Sequence, residues 1–208
     1  MYKNCFWIVG VIAILIYNGF MLAKKNETIR ILNIAKMDKQ EEIEAYKFND
    51  SVRFFENSKF VKKDLKFKTV DGEEISIQEI VDLPKFVIRY SKLSCIECVK
   101  NELLLLKNFI RDVGVENIII ITDYNDIAQL YRFKRINGIE NITTYLSVNG
   151  SFDFINELYE IPYYFLLKKD LSIHSIFIPD KRFNNMTKRY FRLVKRGLSS
   201  TKTILCKP

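Results

Sequence analysis

The chain has 208 residues, of which 48% are hydrophobic and 28% are charged, and its formal net charge is +8. This composition is that of a globular protein with an added apolar segment and excludes a disordered chain. Four cysteines are too few for a disulfide scaffold, and two cysteines with one distant histidine do not complete a zinc site, so we expect no metal and no cofactor.

The N-terminal residues predict a membrane anchor behind a short tail, residues 1–4. Cys5–Ala23 contains no charged residue and approaches the roughly 20 apolar residues that cross a bilayer as a helix. A cleaved signal peptide is the alternative, but Met21-Leu22-Ala23 matches a cleavage site poorly. The sequence therefore favours an uncleaved transmembrane helix over residues 5–23.

The flanking charges do not decide which side the following domain faces. Lys3 precedes the apolar run, whereas Lys24, Lys25 and Arg30 follow it, and this count leans slightly towards a cytoplasmic C-terminal part.

Residues 24–60 predict a helical stalk, because they are highly charged and contain neither glycine nor proline. A single solvated helix and a coiled-coil dimer both remain open, since lysines at 36 and 39 break the apolar repeat.

Residues 61–208 predict one α/β domain in which strands alternate with helices around a mixed sheet. The strands are expected at residues 65–70, 73–77, 85–90, 117–122, 143–148, 163–167 and 172–178. The helices are expected at residues 78–82, from Cys95 to about 114, at 126–137 and at 182–197.

A pair of cysteines stands where a buried strand meets a helix. Lys85–Tyr90 has the β-propensity of a strand, and the following helix opens on Cys95-Ile96-Glu97-Cys98. Unpaired N–H groups and the dipole at a helix N-terminus stabilise a thiolate. One helical turn also keeps the second sulfur within reach of a mixed disulfide formed by the first. A redox pair is therefore predicted, with a structural disulfide or two inert thiols as the alternative.

The domain resembles the thioredoxin fold, and specifically the membrane-tethered bacterial thiol–disulfide oxidoreductases and redoxins. The resemblance rests on the segment Phe67-x-x-x-Asp71-Gly72, on Cys95-x-x-Cys98 and on Ile161-Pro162 opening an apolar strand. It implies that Cys95 is the nucleophile and Cys98 the resolving thiol. It also implies that Pro162 is a cis proline beside the sulfurs, with Ile161 and its neighbours leaving a backbone edge free for substrate.

The chain departs from this family at three positions. Ser94 replaces the usual tryptophan, Arg89 stands where thioredoxins often bury a carboxylate, and Ile161 replaces a common threonine. A buried Arg89 would require a partner that the sequence does not identify. Arg89 would favour the thiolate and Glu97 would oppose it, so both are candidate modulators of the cysteine pKa.

These features predict a membrane-anchored thiol–disulfide oxidoreductase, single-pass in the cytoplasmic membrane, with its domain on the extracytoplasmic side. The side follows from the resemblance alone. Its partners would be a protein thiol or disulfide substrate and a redox donor or acceptor protein. A non-catalytic binding or scaffold module of a membrane complex is the alternative, because a fold does not fix a function. A redoxin-type peroxidase is disfavoured, since its Pro-x-x-x-Thr-x-x-Cys signature is absent before Cys95.

The last predicted helix is strongly basic, with Phe183, Tyr190, Leu193 and Val194 as its expected inner face. The basic side is expected to be solvated, and contact with anionic lipid is the alternative. No nucleic-acid-binding motif accompanies it, so nucleic acid is not an expected partner. His174 is expected to be a surface or core residue.

Overall fold

The computed structural model describes the chain except residues 1, 92–95, 149–151, 153, 155–160 and 206–208. For residues 2–9, 13, 96–101 and 199–205 it describes the backbone alone. The chain divides into two compact units, Met1–Tyr46 and Lys47–Pro208. The first unit is helical throughout its described length.

The described residues form five α-helices, one short 3-10 helix and seven strands. The helices are α1 (Tyr2–Glu56), α2 (Ile77–Ile80), α3 (Ile96–Val113), α4 (Ile127–Asn137) and α5 (Asn184–Leu205), with the 3-10 helix at Val115–Asn117. The strands are β1 (Lys66–Lys68), β2 (Glu74–Ser76), β3 (Lys85–Tyr90), β4 (Ile118–Thr122), β5 (Thr143–Ser147), β6 (Tyr163–Leu167) and β7 (Ile173–Phe177).

The seven strands form one mixed sheet in the order β2-β1-β5-β4-β3-β6-β7. The central strands β3, β4 and β5 run parallel, while β1 and β2 on one side and β6 and β7 on the other are antiparallel to their neighbours. The parallel strands β3 and β4 are buried along most of their length, as is typical of strands covered on both faces.

Both faces of the sheet are covered, and β3 contributes to each. Phe86 faces α3 and α5, where its ring contacts those of Phe109 and Phe191. Val87 faces the other way and belongs to the core cluster that includes Phe67 and Phe165. Because successive side chains of a strand point to opposite faces, β3 joins the two halves of the core.

Local capping fixes the bounds of α4. The side chain of Asp126 accepts a hydrogen bond from the Gln129 backbone N–H at 2.8 Å, which satisfies one free donor of the first turn. At the other end Gly138 adopts the left-handed conformation, with φ of 59°, and ends the helix.

The free edge of β7 is paired with the chain that follows α1. The Ser58 N–H donates to the Ile173 carbonyl at 2.8 Å, and the Ile173 N–H donates to the Lys59 carbonyl at 2.9 Å. Phe60 forms an isolated antiparallel bridge with Ser172. The segment 58–61 therefore acts as a short added strand at this edge.

The end of α1 is fixed to the same side of the domain. The buried Asn49 donates to the Ile178 carbonyl and accepts from the Ile178 N–H, at 3.1 and 2.7 Å. Two hydrogen bonds from one amide side chain hold the last turns of α1 against the strand end.

The thioredoxin-like order of elements that the sequence predicts is present, and the prediction of a mixed α/β sheet flanked by helices is confirmed. Among the helices in the described part of the chain, none has the length and apolar content of a membrane span.

One detail of the last helix is wrong in the sequence prediction. Leu193 is 62% exposed, although it was expected to face the core. The buried positions of α5 include Met186, Tyr190, Phe191 and Val194. Residue 193 lies about 100° around the helix from residue 194, which places it outside the stripe that packs on the sheet.

Candidate functional site

The predicted redox site lies at the edge of the sheet where β3 and β4 end. β3 ends at Tyr90 and α3 begins at Ile96, so the backbone of Cys98 lies in the first turn of a helix that follows the central strand. Cys95 belongs to residues 92–95 and lies outside the described residues, as does Ser94. Glu97 is described by its backbone alone, so its effect on a thiolate stays a prediction.

Pro162 is at the same edge. The antiparallel register pairs Arg89 with Tyr163, so Pro162, the residue before Tyr163, reaches the level of Tyr90 where β3 ends. Ile161 and Pro162 are both half-buried. The register therefore places Pro162 at the edge of the sheet where β3 ends, and its position beside the cysteine sulfurs stays a prediction.

The expected cis isomer is wrong. The described residues contain no cis peptide bond, so the bond between Ile161 and Pro162 is trans. The trans isomer is favoured by about 0.5–1 kcal/mol even before proline, and the family comparison alone carried the opposite expectation.

The partner of Arg89 is Asp123. The Arg89 side chain is 9% exposed, and its Nη2 lies 3.2 Å from Oδ2 of Asp123. Its Nη1 also donates to the Tyr90 carbonyl. The parallel register pairs Tyr90 with Thr122, which brings Asp123 to the end of the neighbouring strand. Since a carboxylate offsets the guanidinium charge, Arg89 stabilises a nearby thiolate less than a lone arginine would.

A buried carboxylate that sequence reasoning missed is Glu102, on α3 one helical turn after Cys98. Its side chain is buried, and Oε2 accepts a hydrogen bond from the hydroxyl of Tyr164. Its other oxygen is buried and has no hydrogen-bond partner in the described part of the chain. Burial raises the pKa of Glu102 to about 7, although the bond from Tyr164 acts in the opposite direction.

Two buried tyrosines complete this cluster. Tyr164 lies on β6 two residues after Pro162, and Tyr90 ends β3. Burial is the main cause that raises the pKa of Tyr90, and the charge of the nearby Glu102 raises it further. Burial is also the main cause that raises the pKa of Tyr164 well above its usual range. Both phenols therefore stay protonated at neutral pH, which leaves Glu102 as the group of the cluster that can change charge there.

The sequence contained a signal for Glu102. Residues 102, 106, 109 and 113 follow helical spacing, and Leu106, Phe109 and Val113 are buried. From the sequence, the apolar face of this helix is expected at residues 99, 103, 106 and 110, a set that leaves out Glu102; Ile110 is only half-buried.

A second group of polar residues, Asp170, Ser172 and His174, contains the side-chain types of a hydrolytic triad in the wrong order. The Ser172 hydroxyl donates to Oδ1 of Asp170 and lies 3.1 Å from Nε2 of His174. In a triad the imidazole stands between the hydroxyl and the carboxylate. Here the serine stands between them, so its proton faces the carboxylate and no nucleophile is activated.

No group of three or more potential metal-ligating side chains occurs among the described residues.

No protein-family model and no curated protein sequence matches the chain. Among solved structures it is similar to one described as an electron transfer protein from Aquifex aeolicus VF5, at 15% identity over 68% of this chain and 95% of that chain, with a TM-score of 0.49. A thiol:disulfide interchange protein from Bacteroides sp. is 11% identical over 65% of this chain and 90% of that chain, with a TM-score of 0.49.

A third similar structure is the thioredoxin domain of a thiol-disulfide oxidoreductase from Bacteroides vulgatus. It is 10% identical over 65% of this chain and 97% of that chain, with a TM-score of 0.47. Identities and TM-scores this low leave the functional conclusion to the residues of the chain itself.

Proposed function

We propose that the chain is a thiol–disulfide oxidoreductase that uses Cys95 and Cys98 on protein substrates. The observation that supports this proposal is that the backbone of Cys98 lies in the first turn of α3, the helix after the central strand, while the register puts Pro162 level with Tyr90 at the end of that strand. A helix start lowers the pKa of a thiol. We expect the backbone at Ile161 and Pro162 to supply an edge along which an extended substrate can bind.

The proposed reaction is a two-step exchange. The Cys95 thiolate attacks one sulfur of a substrate disulfide, forms a mixed disulfide and releases the other substrate sulfur as a thiolate. Cys98 then loses its proton and attacks the Cys95 sulfur. The substrate leaves as a dithiol, the Cys95–Cys98 disulfide forms, and two electrons have passed to the substrate. The same steps in reverse oxidise a substrate dithiol.

Glu102 is the proposed acceptor of the Cys98 proton. A carboxyl group with a pKa of about 7 is matched to proton transfer near neutral pH. It lies one helical turn from Cys98 and is shielded from solvent, so it is available to a thiol on the same face of α3.

Redox cycling of the pair tests the proposal. The full chain in detergent solution, equilibrated with glutathione buffers of graded potential, is expected to gain and lose two thiols in one step when they are counted by alkylation. The midpoint is expected between roughly −270 and −120 mV, and its position separates a reductant from an oxidant. A chain that gives the same thiol count at every potential contradicts the oxidoreductase assignment.

We further propose that residues 5–23 anchor the protein in the cytoplasmic membrane, with the domain on its extracytoplasmic side. The uncharged run Cys5–Ala23 supports the anchor. The side is proposed only from the resemblance to membrane-tethered thiol–disulfide oxidoreductases.

An Ile14→Arg variant tests the anchor. Arginine in the middle of a spanning helix costs about 2.5–3.5 kcal/mol on insertion scales, so the variant is expected to leave the membrane pellet after alkaline extraction. An Ile34→Arg control carries the same change outside the proposed span and should remain in the pellet. Equal extraction of both variants and the parent chain would rule out the anchor.

A further inference from the structure

A groove on the outer surface of the domain lies between α3 and α5, away from the redox edge. The groove has a volume of about 430 Å³, which is in the range of ligand-binding sites. Its walls cover residues 105–112 of α3 and 188–195 of α5, or about 10 Å along each helix. The groove is therefore long enough for two turns of a third helix.

The floor of the groove is apolar and recessed. Phe109 and Phe191 are stacked with ring centroids 4.6 Å apart, and they are only 4% and 6% exposed. Leu105 extends this floor. Beyond the groove, Leu104 and Leu193 are 65% and 62% exposed, so the apolar surface continues onto the outer faces of the same two helices.

The rim of the groove is strongly basic. Arg111 lines it on the α3 side, and Lys188, Arg192 and Lys195 line it on the α5 side. The last three are spaced so that they form one stripe along α5. Among the described lining residues one carboxylate occurs, that of Asp112, and it pairs with Lys195 at 2.9 Å. Four cations against one anion leave an excess of positive charge on both sides of an apolar floor.

This geometry distinguishes between possible occupants. A bilayer surface could contact the exposed Leu104 and Leu193, but it would not reach the floor between the charged rims and would leave it uncovered. A fatty acid would keep much of its chain in water, since small-molecule sites bury most of their ligand and this groove is open along its length. An amphipathic helix matches an apolar floor between two parallel charged rims.

We propose that the groove between α3 and α5 is a docking site for an acidic amphipathic helix of a partner protein. The apolar face of that helix contacts Leu105, Phe109 and Phe191, and carboxylates on both its flanks pair with the basic rim. The described residues that line the groove belong to α3 and α5, so this assignment does not depend on the redox function of the cysteines.

Three synthetic helical peptides test the docking site in binding assays with the full chain in detergent solution. The first has leucine at alternating third and fourth positions with glutamate on both flanks, the second has lysine in place of glutamate, and the third has the residues of the first in scrambled order. We expect only the first to bind, and its affinity to fall as salt is raised.

Matched variants locate the binding. Arg192→Glu on the rim and Asn108→Glu beside the floor are each expected to weaken the first peptide about tenfold. Arg189→Glu makes the same charge change at an exposed position of α5 outside the groove and should change the affinity less than twofold. All three positions are exposed, and circular dichroism checks that each variant is folded.

Several results would overturn the proposal. Failure of the first peptide to bind, or equal binding of the scrambled peptide, would show that the groove does not recognise an acidic helix. Equal losses in Arg192→Glu and Arg189→Glu would indicate diffuse charge attraction. Binding of dodecanoate or anionic vesicles without binding of the peptide, or self-association that Arg192→Glu abolishes, would assign the groove to an amphiphile, a membrane or a second copy.

Discussion

A Cys98→Ala variant of the full chain is expected to accumulate mixed disulfides with its protein substrates through Cys95. Without the second thiol, the mixed disulfide can be resolved only by attack of an external thiol. We expect its release to slow on the order of a hundredfold or more, because attack by Cys98 is intramolecular. The trapped species would appear on non-reducing gels and disappear when dithiothreitol is added.

Three companion variants make this result specific. Cys95→Ser together with Cys98→Ala should form no trapped species, because it lacks the nucleophile. Cys5→Ala or Cys206→Ala, each added to Cys98→Ala, removes a cysteine outside the pair and should leave the trapped species in place. If Cys98→Ala traps no protein and Cys95→Ser leaves the cellular phenotype unchanged, a non-catalytic binding module becomes the better assignment.

Replacing the buried carboxylate, in a Glu102→Gln variant, is expected to change how stability depends on pH. The folded-state pKa of about 7 lies above that of an unfolded glutamate, so the folded chain holds this proton more tightly. The resulting stabilisation is complete below about pH 4.3 and is lost as the pH rises through about 7. The variant should therefore match the parent chain at pH 4 and exceed its free energy of unfolding by about 3 kcal/mol at pH 8.

Denaturant unfolding in detergent solution at pH 4, 6 and 8 measures this difference. Glutamine can still accept the hydrogen bond from Tyr164, so the packing of the cluster is kept. A Glu73→Gln control removes an exposed carboxylate and should follow the parent profile. Parallel profiles for Glu102→Gln and the parent chain would show that Glu102 does not hold a proton at neutral pH.

The proposed catalytic role of Glu102 has its own readout. If Glu102 accepts the Cys98 proton, resolution of a preformed mixed disulfide at pH 7 should slow on the order of tenfold in Glu102→Gln. A purely structural role would leave this rate unchanged while still altering the stability profile.

The sequence predicted most elements of the domain because their signals are local. The run Ile118–Thr122 is continuous and apolar, and it forms a strand buried between neighbours on both sides. Asp126 and Gly138 supply the start and stop signals of α4. In such cases propensity, capping and burial indicate the same element, so the short-range sequence pattern is sufficient to predict it.

The parts that the sequence missed depend on tertiary register. Asp123 could not be named as the partner of Arg89, because their contact arises from the pairing of β3 with β4. Helical spacing places Glu102 on the buried stripe but does not reveal its contact with Tyr164, which depends on how α3 packs against β6. Residues 92–95, which include Cys95, lie outside the described residues, so the roles of Cys95 and Cys98 stay predictions.

The pairing of residues 58–61 with the edge of β7 determines how this protein can be shortened for experiments. An uncovered strand edge offers free N–H and C=O groups to other chains and promotes aggregation. A fragment that begins after this segment would expose the backbone of Ile173 and would also lose the Asn49 anchor at Ile178. Fragments intended to stay monomeric should therefore begin no later than Lys47, where the second compact unit starts.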